Sequence, residues 1–203
     1  MAHKSEKGDL RIQRTRKLLR QALFELTVEK GFTAVTVRDI AERAMVNRST
    51  FYRHYLDKHD LLKQYLDELL TEIASAAIAA EKASNGAPEK VPTGLLVLVK
   101  HVQHYADFYR MMLGQNGDPV FTEGFRQMSE HRYRYLFSHL GAPADPNAPP
   151  VEMKLNYISC AGIGAFQWWL ENDQPCSAEQ LAIWLGDLSM VSAGLKPLPP
   201  TKP

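Results

Sequence analysis

The chain has 203 residues, 45% of them hydrophobic and 23% charged, with 24 Lys and Arg against 23 Asp and Glu. Intrinsic disorder, which needs low hydrophobicity and a large net charge, is excluded, and 12 Gly with 12 Pro exclude collagen-like and low-complexity chains. The net charge of +1 conceals a gradient: residues 1–58 carry 13 basic and 7 acidic side chains, a net +6, whereas residues 59–203 carry 11 and 16, a net −5. A basic first part ahead of an acidic remainder suits a polyanion partner for the former only.

The first eleven residues are charged and lack an apolar core, so no secretory signal is expected. Between Leu10 and Lys30, Leu19, Ala22, Leu23 and Leu26 recur at helical spacing, with Asp9 as N-cap and Gly31 at the C-terminal left-handed position. Thr36 caps a short helix, with Asp39 as capping-box partner. Asn47 caps a second, reaching about Tyr55, and Asp57 opens a longer helix to about Lys82. After the break from Ser84 to Gly94, helices are expected at 94–113, 119–139, 151–172 and 177–194. The Pro-rich segment 141–150 separates two of them, and a loose tail follows. The longest apolar-leaning stretch, Tyr157 to Leu170, is interrupted by Ser159 and Gln167 and falls short of the roughly 20 residues a bilayer span needs, so no membrane association is expected. Cys160 and Cys176 are too few for a disulfide framework; free thiols in a cytoplasmic protein are expected.

The informative stretch is Thr36 to Lys58. Two short helices joined by a four-residue turn make a helix-turn-helix, whose second helix fits a DNA major groove. Val37, Ile40, Ala41, Ala44, Val46, Phe51 and Tyr55 fall on the inward face. The outward positions of the second helix, Arg48, Ser49, Thr50, Tyr52, Arg53 and His54, all carry hydrogen-bond donors and none is acidic, as phosphates and base edges require.

From about Arg14 to Leu70 the sequence resembles the N-terminal domain of TetR/AcrR-type transcriptional regulators. The segments Gly31-Phe32, Thr36-Val37-Arg38-Asp39-Ile40-Ala41 and Ser49-Thr50-Phe51-Tyr52-Arg53-His54-Tyr55 fall in the family's order and spacing. The resemblance implies an all-α protein. A three-helix helix-turn-helix DNA-binding domain (1–56) is followed by a helical ligand-binding and dimerisation bundle (57–196) and a Pro-rich tail (197–203). It further implies a homodimeric repressor on a palindromic double-stranded operator, released by a small-molecule effector of unknown identity. Carried over by position, Thr36 and Lys58 would hold phosphate. Arg48, Ser49 and Arg53 would approach base edges, with Arg38, Asn47, Thr50, Tyr52 and His54 on the same DNA-facing surface. Met45 stands where the family most often has Gly; either the turn tolerates a side chain at φ > 0 or Met45 tucks beneath the motif.

In the family the last two helices pair as a four-helix dimer interface, which here would use Ile158, Ala161, Gly162, Ala165, Trp169, Leu181, Trp184, Leu185 and Leu188. An intramolecular core stripe is the competing reading of the same residues. For an effector pocket the candidates are His104, Tyr105, Phe108, Tyr109, Met112, Phe121, Phe125, Met128, Phe137, Phe166 and Gln167, since Met and aromatics suit an adaptable apolar site. His101, His104 and Asp107, spaced three apart, lack the fourth ligand and the Cys of a structural zinc site, so no metal or cofactor is expected. No nucleophile elbow, zincin, P-loop or dinucleotide motif occurs, so the chain is not expected to be an enzyme. The alternative function is a regulator of the same plan controlled by a protein partner docking on the bundle.

Overall fold

Ten helical segments follow one another through the computed structural model, which describes residues 2–84, 91–115, 117–140 and 147–195. They are α1 (Ala2–Lys30), a 3-10 turn (Phe32–Ala34), α2 (Val37–Arg43), α3 (Arg48–Tyr52), α4 (Lys58–Ser84), α5 (Thr93–His104), α6 (Ala106–Leu113), α7 (Pro119–Leu140), α8 (Val151–Glu171) and α9 (Ala178–Ser192). No strand occurs among the described residues. Part of the 84–94 break, most of the 141–150 segment and the tail lie outside them.

The capping chemistry explains the short helices. The Thr36 hydroxyl accepts from the Asp39 amide, while the Asp39 carboxylate accepts from the Thr36 amide at 2.9 Å, a reciprocal capping box. Asp57 Oδ1 accepts from the amides of His59 and Asp60, each at 2.8 Å, and so starts α4. Asn47 occupies the cap position of α3 without a side-chain bond.

Three local expectations are corrected. Helix α1 begins at Ala2, so Asp9 lies inside it rather than at its cap. Gly31 does take φ 78, but with ψ 143, an extended left-sided geometry open to glycine and not the left-handed helical one. The expected helix 94–113 is two helices, because Tyr105 adopts φ −114, ψ 38 and breaks the ladder. That break also ends the common face of His101, His104 and Asp107.

The chain forms two compact units. The first comprises residues up to Leu66 together with Asp107–Thr122. Helix α2 packs on α1, and α3 on α2, over a core that includes Leu19, Leu23, Phe32, Ile40, Phe51 and Tyr55. The Phe108 ring of α6 stacks on Phe24 of α1 with centroids 3.8 Å apart, Tyr65 meets Phe24 edge-on at 5.1 Å, and the Tyr65 and Tyr109 hydroxyls share a 3.0 Å hydrogen bond. The second unit comprises Asp67–Ala106 and the chain from Glu123 onward. There α9 packs against α5 and α8. A side chain at Gly186 would meet Pro92 Cγ at 2.8 Å, which shows how closely α9 approaches the start of α5.

The turn residue Met45 takes φ 55 with its side chain 88% exposed. The turn therefore tolerates the side chain, and Met45 is not tucked beneath the motif. Replacing Met45 by Gly relieves left-handed strain of about 1 kcal/mol, partly offset by the freer unfolded chain. We expect Met45→Gly to leave the melting temperature unchanged or raise it by a few degrees and Met45→Val to lower it, read by thermal denaturation followed by circular dichroism.

Candidate nucleic-acid interface

The face presented by α3 is set by what lies beneath it. Phe51 is fully buried and Tyr55 nearly so, and this seats the five-residue helix with Asn47, Arg48, Ser49, Tyr52 and Arg53 exposed. Thr50 and His54 are half-buried at its flank. Arg53 donates to Thr50 Oγ1 at 3.2 Å, which aligns its guanidinium along the helix. Arg48 and Tyr52, one turn apart, share a face. Burial, helped by the nearby Arg16 and Arg53 guanidiniums, holds the His54 imidazole below its ordinary pKa, so it is neutral at pH 7. The result is a patch rich in N–H and O–H donors with no carboxylate between Asn47 and Leu56.

The supports of this patch are ionic. Arg43 forms a two-pronged pair with Glu29, at 2.8 and 2.7 Å, and reaches Glu25 at 3.2 Å, tying α2 to α1. Lys30 meets Asp39 at 2.7 Å. The Lys30 ammonium, the Thr36 hydroxyl and the Thr36 amide together hold the Asp39 carboxyl well below the usual carboxylate range.

Two sequence-derived DNA candidates are engaged elsewhere. Lys58, expected to hold phosphate, instead donates to the carbonyls of Phe32 at 2.7 Å, Thr33 at 3.2 Å and Val35 at 2.9 Å, and lies 4.4 Å above the Phe32 ring centre. All three ammonium protons are thereby spent on the 3-10 turn. Burial pushes its pKa down, against the raising fields of Asp118 and Asp57. Arg38 is exposed but paired with Glu42 at 2.8 Å, one turn along α2. The Thr36 hydroxyl lies at the surface within its cap, so a phosphate there would compete with Asp39.

The expected effector residues divide between the units. Phe108, Tyr109, Met112 and Phe121 are buried in the core of the first unit. In the second, a cavity of about 20 Å³, space for about one water, is lined by Leu70, Ile73, Leu95, Leu98, Met128, Ser129, Arg132, Tyr133, Ile158, Gly162, Phe166 and Leu185. Of the effector candidates, only Met128 and Phe166 reach it. Phe125 is buried against Phe166, with ring centres 5.9 Å apart. Phe137 joins a cluster with Tyr133, Leu155 and Ile158. His104 is exposed, and Tyr105 and Gln167 are half-buried, all away from the cavity lining.

The expected dimer residues divide as well. Ile158, Trp169, Leu181 and Leu185 are buried inside the unit, and Gly162 lines the cavity. Ala161, Trp184 and Leu188 are exposed and Ala165 is half-buried. Two large residues that sequence reasoning left unassigned, Tyr157 and Trp168, stand exposed on α8. Their spacing, 157, 161, 164 and 168, follows one helical stripe, which a strict count of helical period from Ala161 would have found.

Comparison with known proteins gives a consistent picture. Residues 19–65 match the model of the bacterial regulatory proteins of the tetR family, and residues 89–190 match that of a transcriptional regulator C-terminal region. The chain is 28% identical over 180 residues to the uncharacterized HTH-type transcriptional regulator YxbF of Bacillus subtilis, covering 88% of this chain and 45% of that protein. It thus spans less than half the length of that relative. A solved TetR transcriptional regulator from Streptococcus agalactiae is 26% identical, with a TM-score of 0.61 over 91% of this chain and 98% of that one. Thermus thermophilus FadR, a repressor solved with lauroyl-CoA, is 18% identical with a TM-score of 0.54 over 93% and 98%, a likeness of fold alone.

Two outcomes follow from the geometry. Lys58→Met, which removes the ammonium from three carbonyls and leaves Phe32's with only the Val35 amide, should lower stability by about 2 kcal/mol, measured by urea denaturation; an unchanged midpoint would contradict the locking role. Asp39 contributes stability above its unfolded pKa that is lost as pH falls toward its depressed folded value. Wild-type protein should therefore lose melting temperature more steeply between about pH 5 and pH 2 than Asp39→Asn.

Proposed function

The chain belongs to the TetR family of bacterial transcriptional regulators, and on that premise we propose that it is a homodimeric repressor of a palindromic DNA operator, released by a small-molecule effector. Members of this family are regulators of transcription and not enzymes. The observation that carries the reading is the donor-rich, acid-free face of α3, with Arg48, Ser49, Tyr52 and Arg53 exposed over a buried Phe51. In this reading Arg48 and Arg53 read base edges, while Asn47, Tyr52 and His54 position the helix on the phosphate backbone. Lys58 takes no part in DNA contact.

Dimerisation is supported by the exposed Tyr157, Ala161 and Trp168 on one stripe of α8 and by the exposed Trp184 and Leu188 on α9, with Leu188 64% exposed. Aromatic area of that kind is costly to leave in water. Two copies joined there would offer paired α3 helices to half-sites about one helical turn apart, and a few ångströms of spread on effector binding would misplace the base contacts. The small cavity favours a second reading, in which a protein docked on the bundle replaces the effector. Release of operator by a small molecule with purified components alone would decide against it.

Fluorescence anisotropy with DNA flanking the protein's own gene, at two salt concentrations, tests the DNA assignment. Arg48→Ala should weaken operator binding about 10- to 100-fold while changing affinity for random DNA less than threefold; equal losses on both would refute it. Leu188→Asp combined with Trp184→Asp should yield a folded monomer by light scattering, and a persisting dimer would move the interface elsewhere.

A further inference from the structure

Between Asp9 and Glu25, α1 carries five cations, Arg11, Arg14, Arg16, Lys17 and Arg20, and no carboxylate. Leu19, Ala22, Leu23 and Leu26 take the buried side of the helix, which leaves Arg14 and Lys17 exposed and about one turn apart. Neither has an ion pair among the described residues. Cations on and beside α2 are instead neutralised: Lys30 meets Asp39, Arg38 meets Glu42 and Arg43 meets Glu29.

The cationic part of α1 lies beside the end of α3. Arg20 sits over the Tyr65 ring at 5.3 Å, and the neighbouring Gln64 donates to the His54 carbonyl, just past α3, at 3.4 Å. Arg16, one turn before Arg20, is near enough to His54 for its charge to disfavour the imidazolium, as does Arg53. Lys17 shares the face of Arg16 and Arg20. Asp60 of α4, the carboxylate in this region, accepts from the Leu56 amide and from Gln64. The positive surface of α3 therefore continues onto α1. Like charges gathered at a surface raise its potential, and a polyanion laid across them sheds its own counterions.

We propose that the first half of α1 is a second DNA-binding element, with Arg14 and Lys17 on backbone phosphates beside the groove that α3 enters. This rests on the DNA-binding reading of α3, but the contribution differs in kind. Phosphate contacts carry no sequence information. Arg14 and Lys17 add affinity for any duplex, and discrimination stays with α3.

Fluorescence anisotropy of the full chain across a salt series, on a duplex from the DNA flanking its own gene and on a random duplex, separates the two elements. Arg14→Gln combined with Lys17→Gln should lower the slope of log affinity against log salt by about 0.9 for each lost contact, about 2 per bound subunit. At about 0.15 M salt both duplexes should be bound at least tenfold more weakly, with their affinity ratio kept within threefold. Arg14→Lys with Lys17→Arg should retain the wild-type slope. Lys82→Gln with Lys100→Gln, the same loss of charge in the second unit, should retain it too; thermal melts confirm that each variant is folded. A slope changed by less than one unit, an equal change in the second-unit control, or a loss confined to the specific duplex overturns the proposal. Arg48→Ala that weakens both duplexes alike refutes the α3 assignment and leaves the α1 element standing. Selective weakening by Arg48→Ala, with the Arg14 and Lys17 variant unchanged in slope, does the reverse. Wild-type chain that binds neither duplex overturns both.

Discussion

A five-residue helix has too few internal hydrogen bonds to persist by itself, so α3 depends on the burial of Phe51 and Tyr55. That anchorage decides which side chains face outward. It also explains the concentration of fixing contacts nearby. Arg43 ties α2 to α1, the capping box starts α2, and Asp57 starts α4 directly after the motif. Each is modest at a solvent-exposed site, but together they limit how α2 and α3 can tilt. Base recognition tolerates little tilt, because bidentate hydrogen bonds are directional.

Lys58 and Arg48 show how alike residues are put to different uses. Both are basic and both border the motif. Lys58 is drawn to the 3-10 turn, where the carbonyls of Phe32, Thr33 and Val35 converge on its ammonium. Arg48 heads a helix whose inward side is already filled, so its guanidinium is left in solvent. A compact, point-like ammonium suits a carbonyl cage and a planar guanidinium suits a base edge, in keeping with their chemistry.

The second unit combines tight and loose packing. Gly186 brings α9 against Pro92, and Trp169 donates its indole N–H to the Cys176 carbonyl at 3.0 Å, holding the turn between α8 and α9. At Gly162 on α8, by contrast, a Cβ would meet no atom within 4 Å.

The sequence by itself determined the helical class, the motif from Thr36 to Lys58, the caps at Thr36 and Asp57, and the family, because these depend on residues within a turn or two of one another. It also located the long C-terminal helices to within a few residues. Only the tertiary structure decided the break at Tyr105, the burial of Phe108, Tyr109, Met112 and Phe121 in the unit that carries the motif, and the sides taken by neighbours such as Trp168 and Trp169. Adjacent residues on a helix point about 100° apart, and an apolar side chain is equally content against its own core or a partner's. Which of the two it meets is set by contacts between segments distant in the chain, and hydrophobic spacing carries no record of those.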